Sequence, residues 1–121
     1  MHQRDEIKEI KQNISAAFKE LRKNGIYARM NYWDCQSCGW AVIRSDAKKF
    51  GYKNLQGFAF YHHQDNESLK KYGELYISYG SATDDYADTV KVGELIKNTL
   101  SKHGLDAVWN GDTSERILVK I

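Results

Sequence analysis

Residues 57–80 read GFAFYHHQDNESLKKYGELYISYG, and this stretch decides the fold. Aromatic and apolar side chains alternate in 57–63 and again in 73–80, a pattern typical of half-buried strands. The polar connection between the two segments has only about ten residues, so an antiparallel pair is the most economical arrangement. We therefore predict two neighbouring antiparallel strands here.

Along the chain, one amphipathic helix precedes this pair of strands and another follows it. Before Gly25, apolar residues recur at three- and four-residue steps, as on one face of a helix. They are Ile7, Ile10, Ile14, Ala17, Phe18 and Leu21. A second helix follows the strands, with a capping residue within 83–85 and an end at Gly104. Gly93 lies inside this helix and costs about 1 kcal/mol relative to alanine, so it predicts close packing against a neighbouring element.

Three further strands complete the predicted architecture. They are IYARMNYW (26–33), LDAVWNG (105–111) and RILVKI (116–121), and the last two form a hairpin around an Asn-Gly turn. We predict one α+β domain over residues 1–121: an antiparallel sheet of about five strands with the two long amphipathic helices on one face. The predicted core consists of Ile10, Ile14, Leu21, Phe58, Phe60, Leu75, Ile77, Leu95, Ile96, Val108, Ile117 and Val119.

Composition and charge narrow the classes of function. The 121 residues carry 18 basic and 16 acidic side chains, and a net charge of +2 does not by itself predict a nucleic-acid or membrane partner. No stretch approaches the roughly 20 apolar residues that cross a bilayer, and the N-terminus lacks the apolar run of a signal peptide. We therefore expect a cytoplasmic protein with no membrane association.

The segment DCQSCG (34–39) is the sharpest chemical feature of the sequence. Two thiolates separated by two residues grip one side of a zinc ion, and a following glycine lets the backbone fold over the sulfurs. His62 is the best third ligand, and Asp34 or Asp65 would complete the set. Zinc, bound through Cys35, Cys38 and His62, is the only cofactor that the sequence suggests.

Two other interpretations of the cysteine pair stay open. A redox pair lies at the start of a helix that follows a strand, where the helix stabilises a thiolate. The pair does follow the predicted strand 26–33, but the βαβ pattern of a thioredoxin-like fold is missing from the prediction. The third interpretation is a structural role or free thiols in a reducing compartment.

Two more groups of residues are candidates for binding. His62, His63 and Asp65 suggest acid–base chemistry, although polar residues at a strand end more often meet solvent or cap the next turn. Tyr61 and Tyr76 are expected to be exposed together on the sheet face away from the helices. They would anchor a protein interface or stack single-stranded bases beside nearby lysines. These lysines are Lys48, Lys49, Lys53, Lys70 and Lys71.

The sequence resembles a small bacterial family of unknown function. Four blocks carry the resemblance in order: CQSCG (35–39), FYHHQD (60–65), LYISYG (75–80) and WNGDTSERI (109–117). The resemblance transfers no activity, but it implies that residues of these blocks form one related cluster. Their members are Cys35, Cys38, His62, Asp65, Trp109, Asp112 and Arg116. Asp34 departs from the family pattern, in which cysteine is common at this position.

We expect a small non-enzymatic module that binds another protein, such as an inhibitor, immunity or phage anti-defence protein. Its binding residues are predicted to be Tyr61, His63, Asp65, Tyr76, Trp109, Asp112 and Arg116. Two alternatives belong to other classes: a zinc- or thiol-dependent enzyme using Cys35, Cys38 and His62, and a nucleic-acid-binding protein using the lysine and tyrosine surface. A homodimer is also compatible with the sequence.

Overall fold

The computed structural model describes residues 4–49, 51, 55–83 and 85–121. Its elements follow in the order α1 (Arg4–Lys23), β1 (Ile26–Arg29), α2 (Gln36–Lys49), β2 (Gly57–Phe60), α3 (His63–Tyr72), β3 (Glu74–Ser81), α4 (Tyr86–Lys102), β4 (Asp106–Val108) and β5 (Ile117–Lys120). No helix in these ranges is long and apolar enough to cross a bilayer.

The five strands form one mixed sheet in the order β1-β2-β3-β5-β4. The α+β class and the number of strands are confirmed, and so is the antiparallel pairing of β2 with β3. The prediction of a purely antiparallel sheet is wrong, because β1 pairs with β2 in parallel. A parallel pair needs a long crossover, and α2 supplies it where the sequence predicted a turn, a short strand and a helical turn.

The main core lies between one face of the sheet and the helices α1 and α4. Apolar side chains of both helices pack together with alternate residues of the strands, so these two long helices share one face as predicted. Fully buried members include Phe18 of α1, Ile96 of α4 and Leu75 of β3.

A second, smaller core lies on the opposite face of the sheet. Ile43 and Ala47 of α2 pack there against Tyr27, Phe58 and Phe60. The prediction placed no helix on this face and is wrong in this respect, because α2 packs there. The face is only partly covered, because α2 packs against the β1–β2 side of the sheet.

Two predicted details of the C-terminal half have opposite outcomes. Gly93 packs closely as expected: a Cβ there would lie 2.5 Å from Trp109 Cη2, so the indole ring rests directly on the helix backbone. Val108 was expected in the core, but its side chain is 46% exposed. It stands in register with Leu118 on the less covered face of the sheet, because residues alternate between faces along β4.

Candidate functional site

The two cysteines lie at the N-terminus of α2 and form a disulfide bond. Cys35 directly precedes the first helical residue, and its carbonyl oxygen accepts the first helical hydrogen bond, 3.1 Å from Gly39 N. The backbone N–H of Cys38 donates to Cys35 Sγ at 3.2 Å. Cys35 therefore acts as the helix cap, with its sulfur in the place where a serine or aspartate oxygen is usual.

The N-terminus of α2 favours negative charge on Cys35, whereas the preceding Asp34 carboxylate opposes it. Both cysteines are half-buried, so the sulfurs are shielded without being sealed inside the core. The first turn of α2 carries no acidic residue. Since the positive end of a helix stabilises an adjacent anion, a Cys35 thiolate formed on reduction would be stabilised by the helix and by the N–H of Cys38.

Gly39 allows α2 to lie close to the sheet. A Cβ at this position would lie 2.6 Å from Phe60 Cε2, which no real Cβ tolerates. The sequence suggested that this glycine folds the backbone over metal-binding sulfurs. The structure instead gives it a packing role, which holds the disulfide end of α2 against β2.

The loop that leads into the disulfide has unusual backbone geometry. Asn31 and Trp33 adopt φ angles of 51° and 62°, in the left-handed region that side chains other than glycine seldom occupy. The Trp33 side chain is 49% exposed. Such conformations cost about 1–3 kcal/mol each and cluster at functional sites, where surrounding contacts enforce them.

The contacts that enforce this loop come from the junction between β2 and α3. Tyr32 N donates to Tyr61 O at 2.7 Å, and His63 N donates to Trp33 O at 3.0 Å. The His63 ring is hydrogen-bonded to the Asn31 side chain, and its Nε2 lies 3.6 Å from a carboxylate oxygen of Asp34. His63 is thus a surface residue that fixes the approach to the cysteine pair.

His62 and Asp65 form a capping box at the start of α3. Asp65 N donates to His62 Nδ1 at 3.3 Å, and His62 N donates to an Asp65 carboxylate oxygen at 3.1 Å. Arg116 Nη1 lies 3.0 Å and 3.1 Å from the two Asp65 oxygens. His62 and Asp65 are buried, so this network ties α3 to the start of β5.

The His62 imidazole is held in its neutral form. Its Nδ1 accepts from the backbone, and its Nε2 lies 3.1 Å from Asp65 Oδ2, which fits an Nε2–H donor. Burial lowers the pKa of His62 and outweighs the nearby Asp65 carboxylate, which raises it, and the Arg116 charge acts in the same direction as burial. The sequence predicted either acid–base chemistry or a cap here, and the geometry is that of a cap.

The predicted metal ligands are engaged elsewhere in this structure. The sulfurs of Cys35 and Cys38 are bonded to each other, and both ring nitrogens of His62 contact Asp65. Within the described ranges, no group of three or more His, Cys, Asp or Glu residues is arranged to hold a metal ion. Zinc binding through Cys35 and Cys38 would require reduction of this disulfide.

The predicted exposed pair of tyrosines is not formed. Tyr61 is 1% exposed and packs near Phe18 in the main core, and this burial raises its pKa to about 12. The physical reason is the facing of β2, which is the reverse of the prediction: Ala59 and Tyr61 point into the main core, and Phe58 and Phe60 point towards α2. Tyr76 faces the other side of the sheet. Lys53 falls outside the described residues, and the other four predicted lysines lie in the last turns of α2 and α3.

A groove of about 560 Å³ lies beside the disulfide end of α2. It is lined by Gln36, Tyr76, Val108, Trp109, Asn110, Ser114, Glu115, Arg116 and Leu118. Tyr76, Trp109 and Arg116 of the predicted binding residues therefore meet at one surface. Gln36, which stands between the cysteines in the sequence and lines this surface, was missed because a lone glutamine carries no recognisable pattern.

The turn between β4 and β5 is built around Asp112. Ser114 donates to its carboxylate through both backbone and side chain, which lowers the pKa of Asp112. Trp109 Nε1 and Tyr79 Oη both donate to the Asp112 carbonyl at 3.1 Å. The Asp112 side chain thus shapes the turn, and the turn fixes the Trp109 ring against α4.

A family model described as "Domain of unknown function (DUF6891)" matches residues 9–121 of the chain. The match spans almost the whole sequence, and the chain belongs to this family. No curated protein and no solved structure is similar enough to count as a match.

Proposed function

We propose that this member of a family of unknown function catalyses thiol–disulfide exchange through Cys35 and Cys38. The observation that supports it is the position of the bridge: half-buried, at the N-terminus of a helix, within the unit β1-α2-β2 whose strands are parallel. Redox cysteine pairs commonly lie in such a βαβ unit, which the sequence pattern did not predict. A reactive disulfide needs this placement because the helix stabilises the thiolate that leaves or attacks.

The bridge closes a very short loop, so its structural contribution is at the low end for a disulfide. A disulfide stabilises mainly by closing a loop in the unfolded chain, and a loop as short as this one gives only about 2 kcal/mol. The helical hydrogen bond from Gly39 N to Cys35 O already closes the same turn in the folded state. If the protein is cytoplasmic, as we propose from its sequence, its disulfide is expected to be catalytic or redox-sensing.

The chemistry balances as an exchange of two electrons and two protons. In the reducing direction, the Cys35 thiolate attacks one sulfur of a partner disulfide, and the other partner sulfur leaves as a thiolate and takes a proton. Cys38, as thiolate, then attacks Cys35 Sγ, and the second partner sulfur leaves. The partner becomes a dithiol, and the bridge described here forms. Oxidation of a partner dithiol follows the same steps in reverse.

Cys35 is the attacking residue in this proposal. Its sulfur accepts the N–H of Cys38 and lies 3.4 Å from Ser37 Oγ. Cys38 lies inside the first helical turn and resolves the mixed disulfide. His62, which the sequence placed in a thiol-dependent enzyme, has no part in the steps, because its ring is buried in the capping box.

A non-enzymatic protein-binding module remains the second candidate function. The groove that gathers Tyr76, Trp109 and Arg116 favours it, because tyrosine, tryptophan and arginine dominate binding energies at protein interfaces. The two candidates differ in whether a sulfur is required. Capture of a partner by a Cys35→Ser/Cys38→Ser variant as efficiently as by the unmodified chain would favour binding alone.

Two single-cysteine variants test the exchange. Reduced Cys38→Ser, which keeps Cys35, should form a mixed disulfide with glutathione disulfide at pH 7 at least about tenfold faster than reduced Cys35→Ser. Intact-mass spectrometry follows the added glutathione, and elemental analysis of the reduced, unmodified chain tests for zinc. Equal rates for the two variants, or no mixed disulfide with either, would contradict the proposal.

A further inference from the structure

We propose that the groove beside α2 binds an extended, largely uncharged segment of a cysteine-bearing polypeptide, so that the exchange partner is a protein. This inference rests on the proposed function, because it names the substrate class of the same site. A small thiol such as glutathione would need only the sulfurs, whereas a polypeptide would use the groove as well.

The floor of the groove is the part of the sheet that α2 leaves uncovered. Tyr76 is in register with Leu118, and Leu118 with Val108, so the three side chains form one row across β3, β5 and β4. Val108 is 46% exposed at the edge strand, although it is apolar. The volume of about 560 Å³ is in the range of sites that hold a ligand, roughly 300–1,000 Å³.

The groove is continuous with the first turn of α2, beside the disulfide. Gln36 lines it, and Gln36 stands between Cys35 and Cys38 in the first turn of α2. A segment that lies in the groove therefore passes the helix end that carries the reactive bridge. This continuity is what selects a cysteine-bearing chain as the occupant.

The groove wall is held rigidly before any partner arrives. Trp109 is a lining residue whose ring packs on Gly93 of α4, on the other face of the sheet, and its Nε1 donates to Asp112 O, which fixes the end of β4 beside the groove. The Arg116 guanidinium lies 5.0 Å from the centre of the Tyr76 ring and is bonded to Asp65. Preorganised aromatic and guanidinium groups bind with little loss of conformational entropy.

The charge of the lining argues for a polypeptide over a nucleic acid. Its charged residues are one arginine and one glutamate, Arg116 and Glu115. Nucleic-acid binding depends on several lysines or arginines that neutralise phosphates. The lysines in the last turns of α2 and α3 are not among the lining residues.

Two probes with a common leaving group test the inference in a Cys38→Ser background. One is a short synthetic peptide with a central cysteine between leucine and valine residues, held as its mixed disulfide with thionitrobenzoate. The other is the small disulfide dithiobis(nitrobenzoate). Reduced Cys35 releases coloured thionitrobenzoate from both, so the two rates are compared directly. Val108→Glu places a charge in the groove, and Tyr86→Glu is the control at an exposed aromatic outside its lining.

We expect Val108→Glu to slow the reaction with the peptide about tenfold or more, since a buried unpaired charge opposes binding. Its rate with the small disulfide should stay within about twofold of the parent, and Tyr86→Glu should change neither rate. A peptide rate equal to that of the control would overturn the inference. So would a single-stranded oligonucleotide that slows the peptide reaction of the parent but not of Val108→Glu. Failure of the parent to react with the small disulfide would instead refute the exchange itself.

Discussion

The N-termini of α2 and α3 share one capping hydrogen bond and differ in the second contact that completes the cap. In each, the side chain before the helix accepts a hydrogen bond from the backbone three residues on: Cys35 Sγ from Cys38 N, and His62 Nδ1 from Asp65 N. At α3 the reciprocal partner is a buried carboxylate that is bonded to Arg116. At α2 it is a covalent bond between two half-buried sulfurs.

This difference separates a structural cap from a reactive one. The His62 cap satisfies buried polar groups with one another, so removing any member leaves the others unpaired in a poorly hydrated place. The Cys35 cap is closed by a bond that thiols can open without leaving a buried charge. The hydrogen bond from His63 N to Trp33 O joins the two caps. The rigid cap at α3 therefore supports the reactive cap at α2.

The largest expected effect comes from breaking the rigid cap. Asp65→Ala leaves the Arg116 charge and the His62 N–H without this partner, and we expect a loss of about 3 kcal/mol in unfolding free energy. Glu67→Ala is the matched control on the same helix, because its pair with Lys70 is exposed and worth about 0.5 kcal/mol or less. Urea denaturation measures both. A loss below about 1 kcal/mol for Asp65→Ala would show that the network is not structural.

A smaller effect is expected from opening the reactive cap. Reduction by dithiothreitol removes a short covalent loop and should lower the unfolding free energy by about 2 kcal/mol or less. The Cys35→Ser/Cys38→Ser variant should fall within the same range under non-reducing conditions. If that variant loses more than Asp65→Ala does, the disulfide is the structural element and the contrast between the two caps is wrong.

The smallest effect is a pH dependence confined to the α3 cap. The folded pKa of His62 is lowered, so the unfolded state binds more protons as the pH falls below the ordinary histidine value of about 6.5. Stability from this residue is therefore present above that pH and is lost on acidification. His62→Asn keeps a capping side chain but cannot titrate, so its unfolding free energy should change less between pH 7 and pH 5. Parallel slopes for the two proteins would refute the assignment.

The sequence predicted the main core well because its helices have clean periodicity. Phe18 and Leu21 recur at helical spacing, and Leu75 and Ile77 alternate along a strand, so each local pattern has one interpretation. The capping residue of α4 was also placed correctly, within 83–85, since Asp85 accepts from the first helical N–H groups. The close packing of Gly93, here against Trp109, was predicted because a glycine inside a helix is unfavourable unless a neighbour needs the space.

The second core and the site were not predictable in the same way. Four consecutive apolar residues, Trp40 to Ile43, read as a strand, and the helix that they form is selected by tertiary contacts. These contacts include the packing of Ile43 on the aromatic face of β2 and the hydrogen bond from Tyr32 to Asp46. Without α2 as a helix, the cysteines have no helix terminus, and a zinc site, a redox pair and structural or free thiols all stay compatible with the spacing.

A redox titration of the unmodified protein tests the central claim most directly. The protein is equilibrated in thiol–disulfide buffers of defined potential, the free thiols are alkylated, and intact mass gives the reduced fraction. We predict a reversible two-electron transition with a midpoint between about −300 and −120 mV, the range of proteins that exchange disulfides. A bridge that stays oxidised in every buffer above about −300 mV would be a structural disulfide and would contradict the account.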